Sequence, residues 1–409
     1  MRLFLDSYGC TLNRADAEII RGVLAKEEFT DIGDAEAVII NTCAVKGPTQ
    51  SKMLSRIREY LALGKKVIVA GCLPKVNRRI LDQFPVSIVD TNSIEKLPIA
   101  IKKGGIFASS GHKNKLKMPH CLSDSLTGIV EISEGCLSRC AFCGTKNARG
   151  NLTSYPLPDI VERVRFLIER GKKEIYLTAQ DTGCYGIDRK TDLVKLLENI
   201  LKIEGDYRLR VGMMNPNHCL KLLDRLIDVY NDERVYKFLH LPVQSGSDKV
   251  IKAMNRAYTV TQFEGIVGKS RRKIDDLCLS TDIIVGFPTE TDADFEKTVE
   301  LIERVRPDVV NVSKFYPRPY TAAARMKQLT TQVTKERSVR LSKAFKDISL
   351  EQNRKYVGRE LVCLVTDKDR RLARASNFKQ VFLDTRAGGL VNAKIVEANR
   401  TYLRGNIKK

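Results

Sequence analysis

No stretch of the 409-residue chain stays apolar for the ~20 positions that a membrane-spanning helix requires, although apolar residues make up 43% of it. The N-terminus, Met1-Arg2-Leu3-Phe4-Leu5-Asp6, lacks the layout of a secretory signal peptide. Both absences lead us to expect a cytoplasmic protein with no membrane partner. In that reducing compartment the 11 cysteines are expected as metal ligands or buried apolar side chains, not as disulfides. Acidic residues are short as well: 49 Asp and Glu face 70 Lys and Arg, a formal net charge of +21. That excess goes beyond what solubility needs and favours a polyanionic partner, most simply nucleic acid. Histidine is scarce, at four, and His218 and His240 are too isolated in the sequence to be assigned catalysis.

What the chain does carry is a loop of three thiols, Gly135-Cys136-Leu137-Ser138-Arg139-Cys140-Ala141-Phe142-Cys143. It follows Gly128-Ile129-Val130-Glu131-Ile132-Ser133, which reads as a strand, so the thiols stand where a strand runs out. Structural zinc wants four closed ligands, and no fourth Cys or His follows within the usual reach. A cubane iron–sulfur cluster has four irons, so three thiolates leave one iron open to a substrate. The spacing therefore favours a catalytic cluster, with zinc as the alternative.

Residues 1–100 read as an open parallel α/β sheet. Arg2–Tyr8, Ala37–Thr42 and Lys66–Ala70 are its strands, and Asn13–Lys26 is an intervening helix with Ala17, Ile20, Val23 and Leu24 on one face. Cys10, Cys43 and Cys72 stand just beyond the three strands. In such sheets ligands bind outside the carboxyl ends of the strands, so the three thiols converge on one edge as a second metal centre. Residues 101–123 break this pattern. Lys102, Lys103, His112, Lys113, Lys115 and Lys117 alternate with Gly and Ser, as in a basic linker, and Cys121 is expected to lie exposed within it.

From 124 to 350 a strand-then-helix unit repeats six times. The strands are Gly128–Ser133, Lys173–Thr178, Tyr207–Val211, Tyr236–Leu241, Cys278–Val285 and Val309–Phe315. Six such units make a (β/α)6 partial barrel with its polar loops gathered at the carboxyl face. Gln180, Asp181, Gln244, Ser245 and Asp282 lie at those exits. Cys219 and Cys278 sit in apolar patterns and are expected in the core; Cys184 lies nearer the site, but packing is favoured over ligation there. Residues 354–409 turn to short strands, and form a small β-barrel. Lys368, Arg370, Arg371, Arg374, Phe378, Lys379, Arg386, Arg400, Tyr402 and Arg404 interleave charge with rings, as on an RNA-binding surface.

The assembled motifs resemble the methylthiotransferases of the radical S-adenosylmethionine (SAM) superfamily along nearly the whole chain. They include Tyr8-Gly9-Cys10-Thr11-Leu12-Asn13, Asn41-Thr42-Cys43-Ala44-Val45, Ala70-Gly71-Cys72-Leu73-Pro74, Leu177–Gly183, Pro242–Asp248 and Thr281–Pro288. The stretch Cys143–Leu152 is similar to the archaeal and eukaryotic branch, which modifies threonylcarbamoyl-adenosine 3′ of the tRNA anticodon. The resemblance implies a C-terminal domain of the TRAM type and two [4Fe-4S] clusters. Cys136, Cys140 and Cys143 would hold the one whose open iron chelates SAM. Cys10, Cys43 and Cys72 would hold an auxiliary cluster that carries the sulfur. One electron passed into SAM would yield a 5′-deoxyadenosyl radical that takes hydrogen from C2 of the adenine, and a second SAM would supply the methyl group. Gln180, Asp181, Gln244, Ser245 and Asp282 would orient SAM. Arg149 and Arg318 would meet the substrate's carboxylate, to which a guanidinium offers paired hydrogen bonds. The partners implied are tRNA, a reductase or other electron donor, and a sulfur donor. Other readings are a different tRNA adenosine, a protein side chain as acceptor, or a zinc-stabilised RNA-binding protein without catalysis. Thr289 and Tyr320 stand where the family usually has Gly; a Cβ resists positive φ, so differently shaped loops are expected there.

Overall fold

The computed structural model describes residues 1–43, 47–367 and 369–408; Ala44, Val45 and Lys368 of the sequence reading lie outside the described residues. The N-terminal sheet has six parallel strands: β1 (Arg2–Ser7), β2 (Glu28–Phe29), β3 (Ala37–Thr42), β4 (Lys66–Gly71), β5 (Ser87–Asp90) and β6 (Ile106–Phe107), in the order β2-β1-β3-β4-β5-β6. The central β3 is buried throughout, as a parallel strand covered on both faces must be. Its side chains alternate between two cores. Ala37 and Ile39 pack with Ile19 and Ile20 of the helix Thr11–Val23, while Val38 and Ile40 pack with Met53, Ile57 and Tyr60 of the helix Gly47–Ala62. Only β1, β3 and β4 are among the strands read from sequence. β2, β5 and β6 are two to four residues long, too short to show a period.

The segment 101–123 is no free tether. Its first residues finish the helix Leu97–Lys103, and β6 extends the sheet by pairing with β5. Lys115, expected in an exposed basic stretch, is buried. Cys121 is exposed, as expected.

The central region contains β7 (Thr127–Glu131), β10 (Glu174–Thr178), β11 (Arg208–Val211), β12 (Phe238–His240), β13 (Cys278–Val285) and β14 (Val309–Lys314), with a two-residue hairpin of β8 (Ser133–Glu134) and β9 (Thr153–Ser154) beside the first. All six long strands run parallel, as two triplets, β7-β10-β11 and β12-β13-β14. A bridge from Leu209 to Val235 joins the triplets. One large core fills the space between strands and helices and includes Cys219, while Cys278 is buried beside Tyr236 and Phe238. The helix Thr331–Arg354 then leads to a closed five-stranded barrel: β15 (Glu360–Val365), β16 (Leu372–Ala375), β17 (Gln380–Leu383), β18 (Leu390–Ala398) and β19 (Leu403–Ile407). Among the described residues no helix is long and apolar enough to cross a membrane.

Candidate active site

The exits of β1, β3 and β4 are tied together by polar side chains. Asn13 donates to the Thr42 carbonyl at 2.8 Å, and Asn41 donates to the Asn13 carbonyl at 2.7 Å and to Ser7 Oγ at 3.1 Å. Thr42 Oγ1 donates to the Ala70 carbonyl and accepts from the Leu73 amide. This frame fixes three adjacent strand ends, so Cys10, Cys43 and Cys72 project from one edge. Gly9 is required where it stands: its φ is +113°, and a Cβ would lie 2.8 Å from that of Cys43. Cys10 is exposed, whereas Cys43 and Cys72 are buried. Burial pushes the Cys72 thiol up to about 11, and Arg149 acts in the opposite direction.

The second thiol loop is held from both sides. The Cys136 amide bonds the Gly150 carbonyl at 3.3 Å, and Lys146 Nζ bonds the Cys136 carbonyl. Gly135 has φ +73°, and a Cβ there would lie 1.9 Å from the Asn151 carbonyl oxygen. On the far side the Ala141 amide bonds the Met254 carbonyl at 2.9 Å, and Asn255 Nδ2 bonds the Arg139 carbonyl at 2.6 Å. Arg256, absent from the sequence-based candidates, places Nη1 3.1 Å from Cys140 Sγ. The Cys184 thiol donates to the Asp181 carbonyl at 3.1 Å; its closeness to Cys136 holds Cys136 below the ordinary thiol range and drives Cys184 far upward. Cys184 is fully buried.

One short helix joins the two triads. Cys143 caps the helix Gly144–Arg149, and at its other end the Arg149 guanidinium faces Cys72. Cys72, Val76 and Ala148 pack together across this junction. Six residues rise about 9 Å, so the thiol groups stand on the order of 10 Å apart. Neither triad draws its three sulfurs within 4.8 Å of one another. A single tetrahedral zinc with ~2.3 Å bonds would need them at about 3.8 Å, whereas ligands of a cubane sit on different irons and are spread more widely. The donor set thus fits iron–sulfur clusters better than zinc.

The two arginines expected to meet substrate lie at this junction, but differently from expectation. Arg149 is buried, its Nη1 2.6 Å from Glu134 and its Nη2 2.5 Å from Asp16. Lys115 Nζ bonds the same two carboxylates, each at 2.6 Å. A ligand's carboxylate could reach Arg149 only by displacing one of them. Beside this network Glu131 is also buried, and desolvation raises it to about 8. The carboxylates of Asp16 and Glu134 thus face Arg149 and Lys115, with His112 Nδ1 3.3 Å from Glu134. Arg318 is buried too, donating to Gln50 at 3.3 Å, and its Nη2 has no hydrogen-bond partner. Cys43 is among the groups that act on it.

Of the residues expected to orient SAM, two keep open atoms. Gln180 has both amide atoms buried without partners, and so has Gln244 its Oε1. Asp181 instead accepts from the amides of Gly183 and Asn215 and lies 2.7 Å from His218 Nδ1. Ser245 bonds Thr298 and the Ser247 amide, and Asp282 is bonded by Asn311 and lies 3.1 Å from His240. Asp181 and Ser245 are thus tied within their loops, whereas Asp282, expected at a strand exit, lies inside β13 because that strand runs on to Val285. Orphaned amide atoms beside a thiol loop fit a ligand with amino, carboxylate and hydroxyl groups. At Tyr320 the left-handed conformation persists, φ +64°, with the ring exposed, so a Cβ does not change the backbone there as expected, whereas Thr289 does not adopt positive φ.

Sequence reasoning missed Arg256, Asp16, Glu134 and Lys115. Glu131 and Glu134 did leave a signal, as carboxylates in an otherwise apolar strand region. Arg256 left none, because its partner is remote in sequence.

A family model of the radical SAM superfamily matches residues 130–302, and that of Uncharacterized protein family UPF0004 matches residues 2–90. The chain is 45% identical to a probable threonylcarbamoyladenosine tRNA methylthiotransferase of Pyrococcus horikoshii, covering 100% of this chain and 99% of that one. It is 34% identical to the human threonylcarbamoyladenosine tRNA methylthiotransferase over 99% of this chain and 73% of that one. Among solved structures, the radical SAM methyltransferase TsrM of Kitasatospora setae, with cobalamin and [4Fe-4S] cluster bound, shares the fold, with a TM-score of 0.58 at 14% identity over 79% of this chain and 76% of that one.

Proposed function

The chain belongs to the threonylcarbamoyladenosine tRNA methylthiotransferase family, and from that premise we propose that it is a transferase inserting a methylthio group at C2 of N6-threonylcarbamoyladenosine in tRNA. The observation that carries this reading is the pairing of two thiol triads across a single six-residue helix. Cys136, Cys140 and Cys143 would hold one [4Fe-4S] cluster, and Cys10, Cys43 and Cys72 the other. When bound, the clusters and SAM supply the radical, the sulfur and the methyl group.

The chain's own residues would do the rest. Gln180 and Gln244 bind polar groups of SAM with their open amide atoms, the bonded Asp181 and Ser245 keep their loops in shape, and Asp282 lies inside β13 below them. Arg318, with one unpartnered nitrogen at the junction, is the candidate for the substrate's carboxylate. Arg149 braces the two triads against each other. The basic C-terminal barrel and the net charge of +21 support tRNA as partner, with a cellular reductant and a sulfur donor. Eleven free cysteines support a cytoplasmic setting. We divide the chain into an N-terminal unit (1–100), a connecting segment (101–123), the radical SAM unit (124–350) and an RNA-binding unit (354–409).

The test offers the reconstituted protein two anticodon stem-loops, one with plain adenosine and one with the threonylcarbamoyl group. Methylthiolation should require the second. A Cys10/Cys43/Cys72→Ala variant should hold about half the iron and still cleave SAM without making product. Equal turnover of both stem-loops would overturn the substrate assignment.

A further inference from the structure

The turn between β16 and β17 leaves the small barrel and enters the large one. Its Phe378, at φ +69°, lies 4.9 Å from the Phe238 ring, 5.0 Å from Tyr236 and 5.7 Å from Tyr176. The Arg210 guanidinium stands 5.1 Å from the centroids of both Phe378 and Phe238 and 5.3 Å from that of Tyr176. Arg374 covers Phe378 at 4.4 Å. Phe238 opens β12, Cys278 opens β13, and both pack with Phe378. The ring therefore occupies the amino end of the partial barrel, opposite the face that carries the thiol loops.

The turn is anchored on three sides. The Ser376 carbonyl accepts from the Lys237 amide at 2.8 Å, which ties it to the start of β12. Asn377 donates to the Tyr356 hydroxyl at 2.9 Å. Lys379 Nζ bonds Asp308 at 2.7 Å and Asn353 at 2.8 Å. Asn377 and Lys379 are buried, so neither is free to touch a nucleic acid. Arg210 Nε has no hydrogen-bond partner. A half-buried guanidinium in that state is tolerated because aromatic faces surround it, and one of those faces belongs to the C-terminal domain.

Side chains two residues along a strand share a face. The next layer above Phe238 is therefore His240, with Asp282 and Asn311, which bond one another. That layer lies between the plug and the loops of the candidate site. Six strands do not close a barrel by themselves. The polar layer keeps some exposure as it stands, with Asn311 exposed and His240 and Asp282 half-buried; without the plug it would be open from the amino end as well.

We propose that the C-terminal barrel forms the floor of the reaction chamber, with Phe378 sealing the amino end of the partial barrel and holding Arg210 in place. Phe378 is then a positioning residue for the reaction, distinct from whatever surface of the same domain holds RNA. This inference rests on the functional reading above, because a seal matters most where a reactive intermediate must be kept from water.

The experiment compares the full-length reconstituted protein with Phe378→Ala, Phe378→Leu and, on the outer surface of β19, Arg404→Ala. Phe378→Ala should keep wild-type iron content and stem-loop affinity. Its amide exchange over β10, β11 and β12 should quicken about tenfold, and the ratio of methylthiolated nucleoside to SAM cleaved should fall several-fold. Phe378→Leu should fall between, and it carries the test if the alanine variant does not fold. Arg404→Ala should show the reverse: weaker stem-loop binding with amide exchange over β10, β11 and β12 unchanged. Unchanged exchange in both Phe378 variants would overturn the seal. Quickened exchange with an unchanged product ratio would overturn its role in the reaction. If wild type itself makes no product, the functional reading fails, while the exchange measurement still decides whether the plug closes the barrel.

Discussion

Replacing Arg149 with Met should expose how the N-terminal unit is fastened to the barrel. Asp16 comes from the N-terminal unit, Lys115 from the connecting segment, Glu134 from the hairpin beside the barrel, and Arg149 from the helix between the triads. The Asp16 and Glu134 carboxylates face these two cations inside a buried space, with His112 Nδ1 3.3 Å from Glu134 at its edge. Removing one cation leaves a buried carboxylate uncompensated, which costs about 3–5 kcal/mol. Protonation sets an upper limit on that cost. A carboxyl of ordinary pKa near 4 needs about 4 kcal/mol to take a proton at pH 7 and about 1.5 kcal/mol at pH 5. The variant should therefore lose about 4 kcal/mol at pH 7 and roughly 1.5 kcal/mol at pH 5. The sign follows from the variant's raised carboxyl pKa: stability is complete below the unfolded value and is lost as pH rises. Denaturant unfolding, read by amide exchange in Thr11–Val23 and in the β8–β9 hairpin, measures it. The double variant Arg149→Met/Asp16→Asn restores one anion to one cation and should recover most of the loss at pH 7. A loss below about 1 kcal/mol at pH 7, or one independent of pH, would refute the charge count, since a buried uncompensated carboxylate must respond to protons.

Glu131→Gln should act with the opposite sign. Burial raises this carboxyl to about 8, so wild-type stability is complete below the unfolded pKa near 4.5 and falls as pH climbs through 8. Melting curves of wild type and variant should coincide near pH 4.5 and separate toward pH 8, with the variant melting higher; parallel curves would contradict this. Arg256→Met removes the N–H donor 3.1 Å from Cys140 Sγ. Because a donor to sulfur favours the reduced cluster, a spectroscopic redox titration should find a lower reduction potential. Arg256→Lys should restore part of the shift, and an unchanged potential in the Met variant would show that the contact has no electronic effect.

Some of this architecture was legible in the residues alone. Long strands such as Ala37–Thr42 and Cys278–Val285 declare themselves by their apolar runs, Ala37–Ile40 in one and Ile283–Val285 in the other, and their bounds agree with the structure. The thiols at strand exits were readable because a parallel sheet delivers its strand ends to one edge, whatever lies between them. The short strands β2, β5 and β6 were not readable, because two to four residues hold no period and their pairing depends on a neighbour already in place.

Charge was the least legible property. Arg149 follows the thiol loop and resembles a free anion receptor in sequence, yet the structure surrounds it with Asp16 and Glu134. Lys115 belongs to a run that reads as a solvated linker, yet it is buried against the same carboxylates. Phe378 reads as one ring among basic residues on an RNA-binding surface, but it packs against Tyr176, Tyr236 and Phe238 of another domain. The chain by itself determined the spacing of the six thiols and the parallel frame that gathers them, because spacing and periodicity are local properties. Only the tertiary structure decided which charges are neutralised and which rings are buried, because those depend on groups far apart in sequence that meet only when the domains close on one another.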